Sequence, residues 1–218
     1  MKKILVIGDY MLATWHPLRG VDDELVRILS DYDITICEEY QKLTMEQLNE
    51  YAFVINYIDA YNSRVNVDLA ALFIAYIALG GVMMVVHNGI IARRLPELEQ
   101  MFGGAFTHHP KHELLKYTLA QSHPLGKTLK SFEIDEEPYM FTMSNLASTA
   151  ILMEYEYKQQ KYPAVWVRNF ARGRILYIAP GHNADAFRNE GMQILIRQGA
   201  RWCAGEMDFC QDNIYGED

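Results

Sequence analysis

Gly80-Gly81-Val82-Met83-Met84-Val85-Val86-His87-Asn88-Gly89 is the stretch on which the fold turns. Five consecutive apolar residues without alternation predict a strand buried on both faces, the mark of a parallel sheet covered by helices. Gly80 is placed to end a preceding helix in the left-handed conformation. That helix runs back to Asn66, which is placed to cap it. After the strand, His87-Asn88-Gly89 predicts a sharp turn that presents one side chain.

The same rhythm extends toward the N-terminus. Ile4–Gly8 predicts a buried first strand, and Asp22, Asp23 and Glu24 open a helix over about 22–30. Ile34–Cys37 predicts a second strand. Thr44 and Gln47 have capping-box spacing for a short helix to about Tyr51, and Ala52–Tyr57 predicts a third strand. Strands alternating with helices up to His87 give a parallel sheet with right-handed crossovers and helices on both faces. Beyond Pro96–Met101, a short helix closed by Gly103-Gly104, the helices thin out. Leu115–Ala120, Ser131–Ile134, Thr149–Tyr155, Ala164–Phe170 and Arg174–Ala179 predict strands, most simply hairpins added antiparallel to the sheet. A final helix over about Asn189–Cys203 carries Met192, Leu195, Ile196, Gly199 and Trp202 at core-facing spacing. Residues 1–205 are expected to form one domain, and 206–218 an acidic tail.

Composition narrows the function classes. Half of the 218 residues are hydrophobic, enough for a continuous core without staples. Cys37, Cys203 and Cys210 are few, odd in number and lack CxxC spacing, which argues against a disulfide framework or a structural zinc site. Met1–Lys3 leads into an apolar run too short for a signal peptide, so a cytoplasmic location is expected. Leu69 to Val86 is broken by Gly80-Gly81 and predicts a buried helix and strand, not a membrane span. The net charge is −8. Basic residues such as Arg93-Arg94, Lys127 and Lys130 are scattered, so neither nucleic acid nor membrane is an expected partner. There is no GxGxxG and no GxxxxGK[ST] to cradle a nucleotide phosphate.

Ligands of open parallel sheets sit at the carboxyl ends of the strands. Asp9 follows the first strand, His87 and Asn88 follow Val82–Val86, and His182 follows Arg174–Ala179. For His87, a turn histidine bonded to backbone is the bland alternative. His108 and His112 are four apart, but Pro110 between them argues against a shared helix face. A zinc site from that cluster alone is not expected, though one of the pair has room to face a pocket. Asp135-Glu136-Glu137-Pro138-Tyr139 is either a solvated loop or, given its apolar flanks, a place where an acid is partly buried and its pKa raised. Trp166 lies in a strand, as core or as a sugar-stacking platform.

Taken in order, these motifs resemble the trehalose-utilisation (ThuA-like) family. They are Gly80-Gly81 with His87, Gly103-Gly104-Ala105-Phe106 with His109-Pro110, His123-Pro124 and Glu136-Glu137-Pro138-Tyr139. Pro163-Ala164-Val165-Trp166, Gly173-Arg174-Ile175-Leu176-Tyr177, Gly181-His182 and Gly199-Ala200-Arg201-Trp202 complete them. The resemblance implies a flavodoxin-like three-layer α/β sandwich, a mostly parallel sheet with antiparallel additions, related to class I glutamine amidotransferases. Where those enzymes carry a nucleophilic cysteine, this chain has His87 and Asn88, so glutaminase chemistry should be absent. The first loop, from Asp9 to Val21, departs from the family by being short and keeping His16 as its one histidine.

The resemblance further implies a bacterial protein of carbohydrate use, with a small-molecule carbohydrate as partner and a homo-oligomer as an open alternative. His87, His109, Glu137 and His182 would be its proton carriers or the ligands of a divalent metal. Asp9, Asn88, Glu136, Tyr139 and Trp166 would contact the substrate. The alternative is a catalytically silent sugar-binding or scaffold protein that keeps the same pocket.

Overall fold

A computed structural model describes residues 1–59, 65–91, 95–121, 123–144 and 148–207. Cys210, Arg93-Arg94 and nearly all of the acidic tail lie outside the described residues. Val82–Val86 forms β4, buried along its whole length. It sits between two parallel neighbours, β3 (Phe53–Tyr57) and β11 (Gly173–Ile178). On the far side of β3 lie β1 (Lys3–Gly8) and then β2 (Asp33–Cys37), both parallel to it.

From β11 outward every pairing is antiparallel: β10 (Gln160–Phe170), β9 (Thr149–Tyr157), β6 (Glu113–Leu119) and β7 (Phe132–Glu136). The result is a nine-stranded mixed sheet in the order β2-β1-β3-β4-β11-β10-β9-β6-β7. Helices flank it, giving an α/β sandwich of flavodoxin-like layering. The helices are α1 (Val21–Ile28), α2 (Met45–Leu48), α3 (Val67–Ala78), α4 (Pro96–Phe102), α5 (Ala184–Arg188) and α6 (Glu190–Cys203).

Local signals place these elements. Both halves of the Thr44–Gln47 capping box are made. Asn66 accepts from the Leu69 N–H at 2.8 Å and starts α3, and Gly80 ends it at φ 114. Asn189 caps α6 and also donates to the Glu133 carbonyl at 2.8 Å, tying the helix to β7. Two short strands were not expected from the sequence: β5 (Gly104–His108) and β8 (Met140–Met143) pair as a separate two-stranded sheet. Asp135 and Glu136, expected in a loop, belong to the end of β7.

The far edge of the sheet returns to its centre. Four strand spacings separate β7 from β11, about 19 Å in a flat sheet. Yet Glu136 of β7 accepts a hydrogen bond from the Gly181 N–H just beyond β11, at 2.6 Å. The antiparallel half must therefore curl back over the parallel half, as strand twist allows.

The turn after β4 is tight. A Cβ on Gly89 would meet the Asn56 carbonyl oxygen at 2.3 Å, a backbone atom that cannot swing away. Gly89→Ala is expected to cost about 1–3 kcal/mol by overpacking. Gly126→Ala, where the nearest atom would be 3.5 Å away, serves as the tolerated control. Denaturant unfolding of the two variants checks this.

Candidate metal centre and adjoining cavity

Four neighbouring parallel strands, β1, β3, β4 and β11, deliver Asp9, Asp59, His87 and His182 to one edge of the sheet. His87 takes a left-handed backbone, φ 47, at the start of a single 3₁₀ turn, His87–Ile90. Such strain in a non-glycine residue persists only where its surroundings enforce it. Here Asn88 Nδ2 donates to the Tyr57 carbonyl, Asn56 Nδ2 to the Gly89 carbonyl and the Tyr177 hydroxyl to the His87 carbonyl. The His87 ring is fully buried, with Nδ1 2.6 Å from the Ala179 carbonyl. Since a carbonyl only accepts, Nδ1 carries the hydrogen and Nε2 presents a lone pair. His87 therefore has one ring nitrogen bonded to backbone and the other facing a carboxylate.

That carboxylate is Glu137. Its Oε2 lies 3.2 Å from His182 Nδ1, 3.4 Å from His87 Nε2 and 3.7 Å from His16 Nε2. Its Oε1 lies 3.6 Å from both His109 Nδ1 and His112 Nε2. Glu137 is carried there by Glu136, whose buried carboxylate accepts from the N–H groups of Gly181, His182 and Glu137 itself. His16 is carried by Asp59, whose Oδ2 accepts from the N–H groups of Thr14, Trp15 and His16 at 2.7, 2.8 and 3.3 Å. No regular spacing in the sequence marks His16. Asp59 stands just past a buried strand, the same signal that marks His87 and His182.

Among the described residues the cluster leaves six buried polar atoms without a hydrogen bond: both nitrogens of His16, Asp59 Oδ1, His87 Nε2, Glu137 Oε2 and His182 Nδ1. Orphaned groups at this density are costly unless something satisfies them together. The donor atoms of His16, His87, Glu137 and His182 all lie within 4.8 Å of one another. An ion bound at about 2.0–2.2 Å spaces its ligands about 3.3–3.6 Å apart in a tetrahedron. The separations around Glu137 Oε2, 3.2 to 3.7 Å, bracket that spacing, so the residues fit a metal of the kind that takes imidazole and carboxylate ligands.

Burial opposes ionisation of Glu137, but His16, His182 and His87 together hold its carboxyl far below the usual range. Burial likewise opposes protonation of His16, yet Asp59 and Glu137 outweigh it and raise its pKa. Burial alone dominates at His87, pulling it down to about 3 despite Glu137.

A cavity of about 410 Å³ opens over this cluster, walled by Trp15, Ile91, Phe106 and Tyr139 with His108 and His109 at its side. His16, Glu137 and His182 reach its surface. Tyr139 lies against His87 with ring centroids 4.1 Å apart. Several expected ligand contacts are corrected. Trp166 is in the core, its indole N–H donating to the Phe102 carbonyl at 2.8 Å, because its strand face points into the aromatic cluster of Phe141 and Tyr177. Trp15, which is 62% exposed, stands at the cavity instead. Asp9 is buried and accepts from Tyr40 and the Asp59 N–H. Asn88 and Glu136 are also buried and serve the backbone. Cys37 and Cys203 lie outside the cavity, and burial raises both thiols.

The profile of the ThuA family, described as trehalose utilisation, matches residues 22–203. The chain belongs to the ThuA family. Two ThuA-like proteins of known structure share its fold. The one from Bacteroides uniformis ATCC 8492 has a TM-score of 0.77 at 18% identity, over 95% of this chain and 93% of that one. The one from Parabacteroides merdae ATCC 43184 has a TM-score of 0.74 at 18% identity, over 94% and 91%. The β-galactosidase of Bacillus circulans sp. alkalophilus contains a similar fold at TM-score 0.65 and 15% identity, over 94% of this chain but 31% of its own. No curated protein sequence matches significantly. Among the described residues no helix is long and apolar enough to cross a membrane.

The lowered proton affinity of His87 is measurable by titration of the metal-free protein. The unfolded His87 imidazole takes up a proton near pH 6.5, whereas the folded one stays neutral until about pH 3. The unfolded state therefore binds more protons over that window, and this residue's contribution to stability falls as pH drops through it. Imidazole C–H titration by NMR should show one histidine unprotonated at pH 5, and that resonance should vanish in His87→Asn.

Proposed function

We propose that this ThuA protein is an enzyme of carbohydrate metabolism that holds a divalent transition ion through His16, His87, His182 and Glu137. Its substrate would be a small sugar derivative in the cavity above them. The observation that carries this reading is the convergence of orphaned imidazole nitrogens on one carboxylate oxygen at the cavity floor. The family description supports the substrate class. A cavity of about 410 Å³ suits a ligand of mono- or disaccharide size, and Trp15 and Phe106 in its wall are aromatic rings of the kind that pack on the apolar faces of a sugar.

An ion in this site would supply Lewis acidity toward a sugar hydroxyl or carbonyl oxygen. The protein's own groups would do the rest. Glu137 offers Oε2 to the ion and Oε1 toward His109 and His112, which are half exposed to solvent. Those two imidazoles would pass protons between the cavity and water. Ile91, Phe106 and Trp15 would exclude water from the reacting face.

A specific feature also favours a second reading. Four protein donors fill a tetrahedral shell, as in structural zinc sites, so a sugar-binding protein without turnover is the competing possibility. Metal analysis of the purified chain, joined to a turnover and binding screen of disaccharides and keto-sugars, separates the two. Near-stoichiometric transition metal with turnover is expected. His182→Ala should lower metal content and reduce turnover at least 100-fold while keeping the far-ultraviolet circular dichroism of the parent. Binding without turnover would leave the second reading, and a metal-free protein with full turnover would overturn the metal role.

A further inference from the structure

We propose that Asp59 is the outer-sphere carboxylate of this centre, a positioning residue that fixes which nitrogen of His16 can ligate. The inference rests on the metal-centre reading above. For His16 to ligate through Nε2, its Nδ1 must carry the hydrogen, and that buried N–H then needs an acceptor. Asp59 Oδ1 faces it at 3.8 Å and has no hydrogen bond among the described residues. Ligation by His16 requires that gap to close to hydrogen-bond distance. Carboxylate–histidine–metal arrangements of this kind orient the ligand and raise its basicity.

The rest of Asp59 is arranged to keep Oδ1 in place. Oδ2 is fully engaged by the N–H groups of Thr14, Trp15 and His16, so the side chain has one free oxygen and one fixed direction. Its backbone N–H is held by Asp9 Oδ2 at 3.0 Å, and Asp9 Oδ1 accepts from the Tyr40 hydroxyl at 2.8 Å. This gives Asp9 a role too, behind Asp59 and away from the ligand. His87 has the same device in another form, since the Ala179 carbonyl fixes its Nδ1–H. Two of the three imidazoles thus have the partner for their remote nitrogen at hand. The loop that Asp59 holds also carries Trp15, so one carboxylate positions both His16 and a wall of the cavity.

Asp59→Asn isolates this role. The three backbone donors require an acceptor, so the amide oxygen takes the Oδ2 position. The NH₂ group then faces His16 Nδ1 and donates to it. That reverses the tautomer and places a hydrogen on Nε2, the ligating atom. Zn²⁺ affinity of the full chain, measured by competition with a chromophoric chelator, is expected to fall 10- to 100-fold. Metal-free unfolding of the variant should stay close to the parent's, which a merely structural role would not allow.

A parent that binds no Zn²⁺ would overturn the metal-centre reading and this inference with it. A parent that binds, with Asp59→Asn within threefold of it, would overturn the role of Asp59 alone. If the variant does not fold, the parent decides. Zinc loading should give a slowly exchanging downfield imidazole N–H assigned to His16 Nδ1, absent in His16→Gln. Its absence from the zinc-loaded parent would overturn the proposal.

Discussion

The structure depends on the buried carboxylate of Glu136. Three backbone N–H groups converge on it, from Gly181, His182 and Glu137. A carboxyl group with no exposed surface is costly to bury, and burial pushes its pKa up against the pull of those donors and of His182. In return it joins the last strand of the antiparallel half to the end of the last parallel strand. That junction brings the next residue, Glu137, against the histidines it faces.

The site is consequently assembled from both halves of a mixed sheet. The parallel half contributes residues that follow strand ends, as open α/β sheets generally do. The antiparallel half contributes the carboxylate at their centre. Glu137 carries negative charge among rings of very different proton affinity: His87 is held neutral by burial, whereas His16 is encouraged to charge by two acids. Adjacent imidazoles in one cluster thus have unequal roles before any ligand arrives, and packing sets that inequality.

Much of this was legible in the sequence, for reasons tied to particular residues. The unbroken apolar run of β4 fixed a central parallel strand, and the polar residues after β4 and β11 identified His87 and His182. Asp59 obeys the same rule, two residues beyond Tyr57. Glu137 and His109 were reachable by family pattern, since nothing in local spacing tells where a curled antiparallel sheet will put an acid. His16 lies in an irregular loop whose course is set by a distant carboxylate, and no periodicity reports such an anchor. Trp166 could not be assigned to a face from its strand alone, because the register shifts in β10 near Val165 alter the count of alternating positions. β5 and β8 were hidden because they pair with each other, outside the main sheet.

The curl of the sheet has a consequence for biogenesis. His16, His87, Glu137 and His182 come from four distant parts of the chain, and the carboxylate arrives only when the antiparallel strands have closed against the loop after β11. Contacts of such long sequence separation form late, after the loop-closure entropy has been met. A nascent chain that has made its first four parallel strands already holds His16 and His87, but not the acid that gathers them. The complete set of four donor residues is therefore present only once both halves of the sheet have folded.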